Sequence, residues 1–430
     1  MKQVVKSGKT LLVDGPASVS VISGKVEVFG YAVNFKDKIV IRDGKRLPFT
    51  VEDDAVFDVS LGENARIEEV YGKTIPPSWV KSFEELLNLQ IKPIVAMVLG
   101  TIDSGKTSFC TYLANKLLSK RRTVAIVDGD LGQSDIGPPC TVSYAFVTKP
   151  LTDLFNLEAE NASFIGVTSP SAAIQKVVDG LIKLKKEIFD GNVDFIVINT
   201  DGWIEGEEAV NYKVQLVDEL NPDIIFCIQQ KDELTPILNA IEKFKKIVVE
   251  SPPAIKQRSR EKRRSLRELG YIKYLKNAKV RSLPLGWIKI EESDLLNLDK
   301  PYENAKQTKI IQQTLGVKPL QISELNDEIC IFIDKKQWIR EENIKKAEEC
   351  LKKKVTIIRK YEEKGLLIGI YDAKRRFLGI GILKEVDYTK KILKIYTPVQ
   401  SEISTIVLGK VKLEENFKEI PVFAEDAGKP

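Results

Sequence analysis

Gly100-Thr101-Ile102-Asp103-Ser104-Gly105-Lys106-Thr107 satisfies every required position of the phosphate-loop (Walker A) pattern G-x-x-x-x-G-K-S/T. It also stands where such a loop must stand. The apolar run Ile94-Val95-Ala96-Met97-Val98-Leu99 suits a buried parallel strand, and Ser108 to Lys120 places Phe109, Leu113 and Leu117 at helical spacing. The glycines let successive backbone N–H groups curl around phosphate oxygens, and the helix N-terminus adds partial positive charge. Gly100, Thr101, Ile102, Asp103, Ser104, Gly105, Lys106, Thr107 and Ser108 form the expected nucleotide-binding set, with Lys106 reaching the terminal phosphates and Thr107 ligating magnesium. A nucleoside triphosphate, ATP or GTP, is the expected ligand.

Outward from the loop, residues 91–287 alternate strands with amphipathic helices. Val124–Val127, Ser163–Val167, Phe195–Ile198, Ile224–Ile228 and Ile247–Val249 read as strands, with Ala172–Phe189 and Glu207–Leu220 as helices between them. Such alternation predicts an α/β domain: a doubly wound parallel sheet with ligands at the carboxyl ends of its strands. Residues 1–75 carry short alternating runs, among them Val19–Ile22 and Lys25–Phe29, which read as a β-rich domain. Residues 76–90 read as a helical linker, and residues 288–430 as a mixed, mostly β domain with a lysine-rich helix near Glu341–Lys354.

At 430 residues the chain has material for two or three domains. It has no apolar run of about 18 residues and no signal-peptide core, so it is expected to be cytoplasmic and free of membrane spans. Five scattered cysteines without a Cys-x-x-Cys pair argue against a disulfide framework or a zinc site. Histidine is absent altogether. Acid–base work therefore falls to carboxylates, and any metal is a hard cation held by oxygen. A net charge of +5 confines any nucleic-acid contact to a local patch.

Three further stretches carry chemistry. The second strand ends in Asp128-Gly129-Asp130-Leu131-Gly132-Gln133; if its geometry persists, Asp128 and Asp130 point the same way, one to orient the metal shell and one to accept a proton. After Phe195–Ile198 comes Asn199-Thr200-Asp201-Gly202-Trp203, where Trp203 is either a stacking surface for a base or a packing anchor. Finally, Lys256 to Arg267 holds seven cationic residues and one acidic one, and a helix there puts Arg260, Arg263, Arg264 and Arg267 on one face. A basic run is commonly a solvated face; here its position after the last strand suits a lid that neutralises phosphoryl charge.

The phosphate loop, DGDLGQ, TDGW and the arginine-rich stretch (about 254–274) occur together in an order that resembles the polynucleotide 5′-hydroxyl kinases of messenger-RNA 3′-end and pre-ribosomal-RNA processing. The size resembles an archaeal member. The resemblance implies ATP as donor, Mg2+ or another divalent cation, transfer to 5′-hydroxyl ends of RNA and/or DNA, and protein partners in RNA processing. It implies Lys106, Asp130, Arg263 and Arg267 as catalytic residues, with Asp130 activating the 5′-hydroxyl. Gln133, Thr200, Gly202, Trp203, Arg258 and Arg264 are implied in substrate binding and Thr107 at the metal, where the strand-end geometry also places Asp128. The R-x-x-x-R pattern of the lid fits both Arg260/Arg264 and Arg263/Arg267, with the second frame favoured. Asp103 also resembles the family, without an assigned role.

Two other readings stand beside this one. A regulatory ATPase or GTPase would carry Asn-Lys-x-Asp or an extra lysine early in the loop, where this chain has Gln230-Lys231-Asp232 and Thr101-Ile102. A non-catalytic ATP-binding scaffold would not need Lys106, Thr107 and Asp130 together.

Overall fold

Five parallel strands end in register along one edge of the central sheet. In the computed structural model, which describes residues 1–291, 304–325, 328–334, 336–359, 363–387 and 390–420, that sheet has seven strands. Their order is Asn161–Phe164, Thr141–Val147, Val124–Asp128, Phe195–Asn199, Ile94–Gly100, Ile224–Gln229 and Lys246–Glu250. The last five are parallel, and Asn199 is level with both Asp128 and Val98 while Gly100 is level with Ile228. Each strand interior is apolar because both faces are covered. Lys106–Ser119 contributes Phe109 and Leu113 to the core on one face, whereas Ile174–Phe189 and Glu207–Leu220 contribute Val177, Leu181 and Leu216 to the core on the other. The α/β doubly wound class follows directly.

The sheet departs from an all-parallel reading at one side. Thr141–Val147 and Asn161–Phe164 run antiparallel to their neighbours. The strand expected over Ser163–Val167 is shifted toward the N-terminus, because Gly166 takes a left-handed φ of +86° and cannot continue the ladder. Thr141–Val147 is a strand that the alternating βα pattern passes over, since it returns without a helix.

The N-terminal sheet is antiparallel and also seven-stranded, built on Ala17–Val28 paired with Arg46–Leu61. Val19–Ile22 and Lys25–Val28 belong to one continuous strand rather than two, and Phe29, with a left-handed φ of +46°, lies just past its end. The Ser23-Gly24 step is an irregularity within it, where Gly24 at φ +91° lets the backbone pass so close to Asp54 that a Cβ would lie 2.4 Å from its carbonyl oxygen. The expected linker is a core element as well. Trp79, on the helix Pro77–Leu87, is fully buried; it meets Phe109 edge-on at 5.0 Å and donates its indole N–H to the Glu250 carbonyl at 3.0 Å. One apolar core joins the N-terminal sheet to the central one.

The chain divides into two compact units, Met1–Gly270 and Tyr271–Pro430. A boundary at Trp287 is therefore too late. Lys279–Pro284 hydrogen-bonds along Ile392–Thr397 in the second unit's seven-stranded sheet, because its exposed alternating pattern fits an edge strand better than a buried parallel one. That unit also holds a three-stranded sheet with the helices Ala305–Leu315 and Glu341–Leu351. Among the described residues no helix is long and apolar enough to cross a membrane.

Charge also ties the N-terminal sheet to the central domain. Arg42 and Lys45, in the turn before Arg46–Leu61, reach Asp135 and Asp153 of the central domain. Arg42 Nε lies 2.6 Å from Asp153, Lys45 Nζ lies 2.9 Å from Asp135, and the Arg42 guanidinium also bonds Asp135. Burial pushes the Asp135 carboxyl up, but the Arg42 and Lys45 charges outweigh it and hold the group well below the usual carboxylate range. Removing one partner from a buried cluster leaves the others uncompensated. Arg42→Met is expected to cost about 3–5 kcal/mol of stability, read as a lower denaturant midpoint, with Lys45→Met costing less because Arg42 still bonds both carboxylates.

Candidate active site

The phosphate loop is wound tightly enough that side-chain size is restricted along it. A Cβ on Gly100 would lie 2.5 Å from Ser104 Oγ and 2.7 Å from the Ile228 carbonyl oxygen, and Gly105 takes φ +102° to start the helix Lys106–Ser119. Lys106 Nζ donates to the carbonyls of Gly100 at 3.0 Å and Thr101 at 2.7 Å, so its ammonium is folded onto its own loop. Burial lowers its pKa, while the nearby Asp130 charge works in the opposite direction. Ser104 Oγ is buried in the loop with no hydrogen-bond partner among the described residues. A loop of this kind is a receptor for an anion.

The two acids of DGDLGQ part company. The strand ends at Asp128, whose Oδ1 accepts from Asp130 N at 3.3 Å and Asn199 Nδ2 at 3.1 Å, and whose Oδ2 accepts from Asp135 N at 2.8 Å and Ile136 N at 3.3 Å. It is wholly buried and does not line the cavity described below. Burial and the charges of Asp135 and Asp130 push it up to about 7. Its oxygens hold the loop Asp130–Ile136 in place, so the metal contact expected of Asp128 has no free oxygen to make it. Strand period two fails here because the backbone turns after Asp128 instead of continuing.

Asp130 does reach the cavity. It caps the short helix Leu131–Gln133 through Oδ1, which accepts from Gly132 N and Gln133 N at 3.0 Å each, while Oδ2 takes no hydrogen bond among the described residues. Burial raises its pKa; Lys106 opposes the shift and Asp201 adds to it. A half-buried carboxylate with one oxygen committed and one open is placed to receive a proton.

In TDGW the unexpected residue is Asp201. Its Oδ1 accepts from Trp203 N at 2.9 Å, and its Oδ2 accepts from Tyr212 Oη at 2.9 Å and from Lys213 Nζ at 2.7 Å. Lys213 is completely buried. This network turns Trp203 so that one ring face stacks on Tyr212, with centroids 5.6 Å apart and planes at 27°, while the residue also lines the cavity. Packing anchor and cavity surface are thus both true of Trp203. Gly202 lets this loop touch the phosphate loop, since a Cβ there would meet Ile102 at 2.6 Å. Thr200 is a correction: just past the end of its strand, it is buried, its hydroxyl donates to the Val98 carbonyl at 2.8 Å, and it does not line the cavity.

The arginine-rich stretch forms the helix Arg260–Tyr274. Arg258, Arg260, Arg263 and Arg267 line the cavity; Arg264 does not, and its Nε pairs with Glu268 at 3.3 Å. Gln133 Nε2 donates to the Arg263 carbonyl at 3.0 Å, so the DGDLGQ motif holds the lid by its backbone.

Most of these groups face one cavity of about 420 Å3. It gathers Ile102, Asp103, Ser104, Gly105, Lys106, Thr107 and Ser108 with Asp130, Gln133, Gly202, Trp203, Arg258, Arg263 and Arg267; Gly100, Thr101, Asp128, Thr200 and Arg264 lie outside its lining. The N-terminal sheet supplies an apolar end through Leu12, Phe29 and Pro48, with Ile75 from the segment that follows. Those residues carry no motif, and only the fold brings them to the loop. Asp201 and Lys213 had a faint signal in the sequence, an acid inside TDGW and a lysine on the apolar side of a helix.

Residues 100–277 match the family model of the mRNA cleavage and polyadenylation factor CLP1 P-loop. Over those residues the chain is similar to the CLP1 P-loop family. The chain is similar to the polyribonucleotide 5′-hydroxyl-kinase of Methanocaldococcus jannaschii, 28% identical over 78% of this chain and 91% of that one. It is also similar to the corresponding Pyrococcus abyssi protein, 29% identical over 83% and 98%. Among solved structures, the complex of wild-type Clp1p with Pcf11p (454–563) superposes with a TM-score of 0.65, covering 96% of this chain and 97% of that one at 13% identity; at that identity it shows the fold alone.

The network behind Trp203 can be tested by subtraction. Lys213→Met strands the Asp201 carboxylate in a buried site and is expected to cost about 3–5 kcal/mol, whereas Tyr212→Phe removes one hydrogen bond for about 1 kcal/mol; chemical denaturation measures both. For Asp128→Asn, any activity lost is expected to track the folded fraction seen by circular dichroism, with the divalent-cation dependence of nucleotide binding unchanged.

Proposed function

We propose that this chain is an ATP-dependent polynucleotide 5′-hydroxyl kinase acting on the 5′ ends of RNA, with DNA ends as a second acceptor, in the cytoplasm. The reading is carried by one observation: a phosphate-loop lysine, an aspartate with an open oxygen, an aromatic face and lid arginines converge on a single cavity. A hydrolase needs the first of these; an acceptor end gives the rest a use. The names of its curated relatives support the same activity.

ATP would lie with its phosphates on residues 100–108 and its base toward the apolar end beside Phe29 and Pro48. Lys106 leaves its two loop carbonyls for phosphate oxygens. The acceptor end stacks on the open face of Trp203, which brings its 5′ oxygen in line with the γ-phosphorus. That oxygen bonds to phosphorus as the β–γ bridging bond breaks, ADP departs, and the hydroxyl proton passes to Asp130. Arg263 and Arg267 take up charge on the transferred group while positioning supplies most of the rate.

The available donors around the phosphates are hard oxygens, and the chain has no histidine, which fits Mg2+ or a similar divalent cation. Thr107 would hold it together with phosphate oxygens, and Asp128 would not. When bound, the cation neutralises phosphate charge.

Incubation with γ-labelled ATP, a divalent cation and matched 5′-hydroxyl RNA and DNA oligonucleotides is expected to place label on the oligonucleotide; release of free phosphate alone would instead identify a hydrolase. Asp130→Asn, which keeps the helix cap, is expected to lower transfer by about 10^2-fold or more with little change in ATP affinity. Because burial raises the Asp130 pKa, transfer is lost as pH falls through a value above the ordinary aspartate range. That acid limb should vanish from whatever activity remains in Asp130→Asn.

A further inference from the structure

Asp103 is an unexpected residue at the tip of a loop that binds anions. Its φ of +56° is a conformation in which most residues other than glycine are strained, although Asp and Asn tolerate it best. A carboxylate here also repels the phosphates that the loop N–H groups attract. Both effects are unfavourable, so a compensating interaction is required.

The lid provides it. Asp103 Oδ2 accepts from the backbone N–H of Arg258 at 2.9 Å, Oδ1 accepts from the Arg258 guanidinium at 3.2 Å, and the Arg263 guanidinium lies 3.5 Å from Oδ2. Arg263 Nη1 also donates to the Arg258 carbonyl at 2.7 Å, which joins the two arginines into one unit around the carboxylate. From the other side, the turn of the N-terminal sheet holds the same segment: Arg258 Nε donates to the Gly44 carbonyl at 2.9 Å, and Lys262 pairs with Asp43. Asp103, Arg258 and Arg263 all line the cavity that faces the phosphate loop.

We propose that Asp103 is a positioning residue that acts as a resident substitute for phosphate. It holds Arg258 and Arg263 over the loop while no nucleotide is bound, and it yields their guanidinium groups to the phosphates when ATP arrives. The lid is then already in place, and ATP binding exchanges its partners instead of folding it over the site. The second half of this rests on the phosphoryl-transfer reading above; the docking of the lid does not.

Asp103→Asn tests it, because Asn keeps the left-handed backbone and a carbonyl acceptor for Arg258 N–H but removes the charge. Full-length protein without nucleotide is treated with trypsin, and cleavage within 258–267 is followed by mass spectrometry. ATP affinity is measured by calorimetry, and circular dichroism verifies that the melting temperature is kept. Loss of charge-assisted hydrogen bonds is expected to speed cleavage about tenfold without nucleotide, with saturating ATP restoring wild-type protection. Removing the competing carboxylate is expected to tighten ATP binding about three- to tenfold, a gain that a merely structural role would not produce. Arg258→Gln should also speed cleavage but weaken ATP binding, and the double variant should be cleaved no faster than Arg258→Gln alone. Unchanged cleavage in Asp103→Asn, or ATP bound no more tightly, overturns the proposal. Wild-type protein that labels no 5′-hydroxyl oligonucleotide would sink the kinase reading, while the cleavage comparison would still decide the latch.

Discussion

Parallel strands in register are the constraint on which the site depends. The parallel strands Val124–Asp128, Phe195–Asn199, Ile94–Gly100 and Ile224–Gln229 each satisfy their hydrogen bonds with two neighbours, so their carboxyl ends arrive together on one edge. Gly100, Asp128 and Asn199 are far apart in the chain and adjacent there. Whatever follows them, the phosphate loop, the Asp130 turn and the Trp203 loop, is delivered to the same place. Gly202 shows how close the delivery is, since a single methyl group on it would collide with the phosphate loop.

Positive and negative groups then share a small buried volume, and most of the local structure is a response to that. Asp128 spends its carboxylate on four N–H donors and so shapes the loop carrying Asp130. Asp201 is neutralised by a lysine that no water reaches and uses its remaining oxygen to hold Trp203. Asp135 is committed to Arg42 and Lys45 of the N-terminal sheet. Of the acids near the cavity, Asp130 retains an oxygen with no hydrogen bond among the described residues, which is what its proposed role as proton acceptor requires.

The N-terminal sheet is more than an appendage. It shares an apolar core with the nucleotide domain, closes the apolar end of the cavity and grips the lid through Asp43 and Gly44.

The chain by itself determined the α/β class, the phosphate loop, the acid turn and the arginine-rich helix, because each is written in local spacing: a strand, a glycine turn, a helical repeat of charge. Local spacing could not say which acid of DGDLGQ faces the cavity, since that depends on where the ladder stops. Nor could it say that Thr200 is spent on the Val98 carbonyl, or that Trp79 is core rather than linker. Hydrogen-bond partners from distant segments decide such questions, and only the tertiary structure brings those partners within 3 Å. Asp103 makes the point most sharply: its place in the loop is plain from the sequence, but its partners Arg258 and Arg263 lie more than 150 residues away.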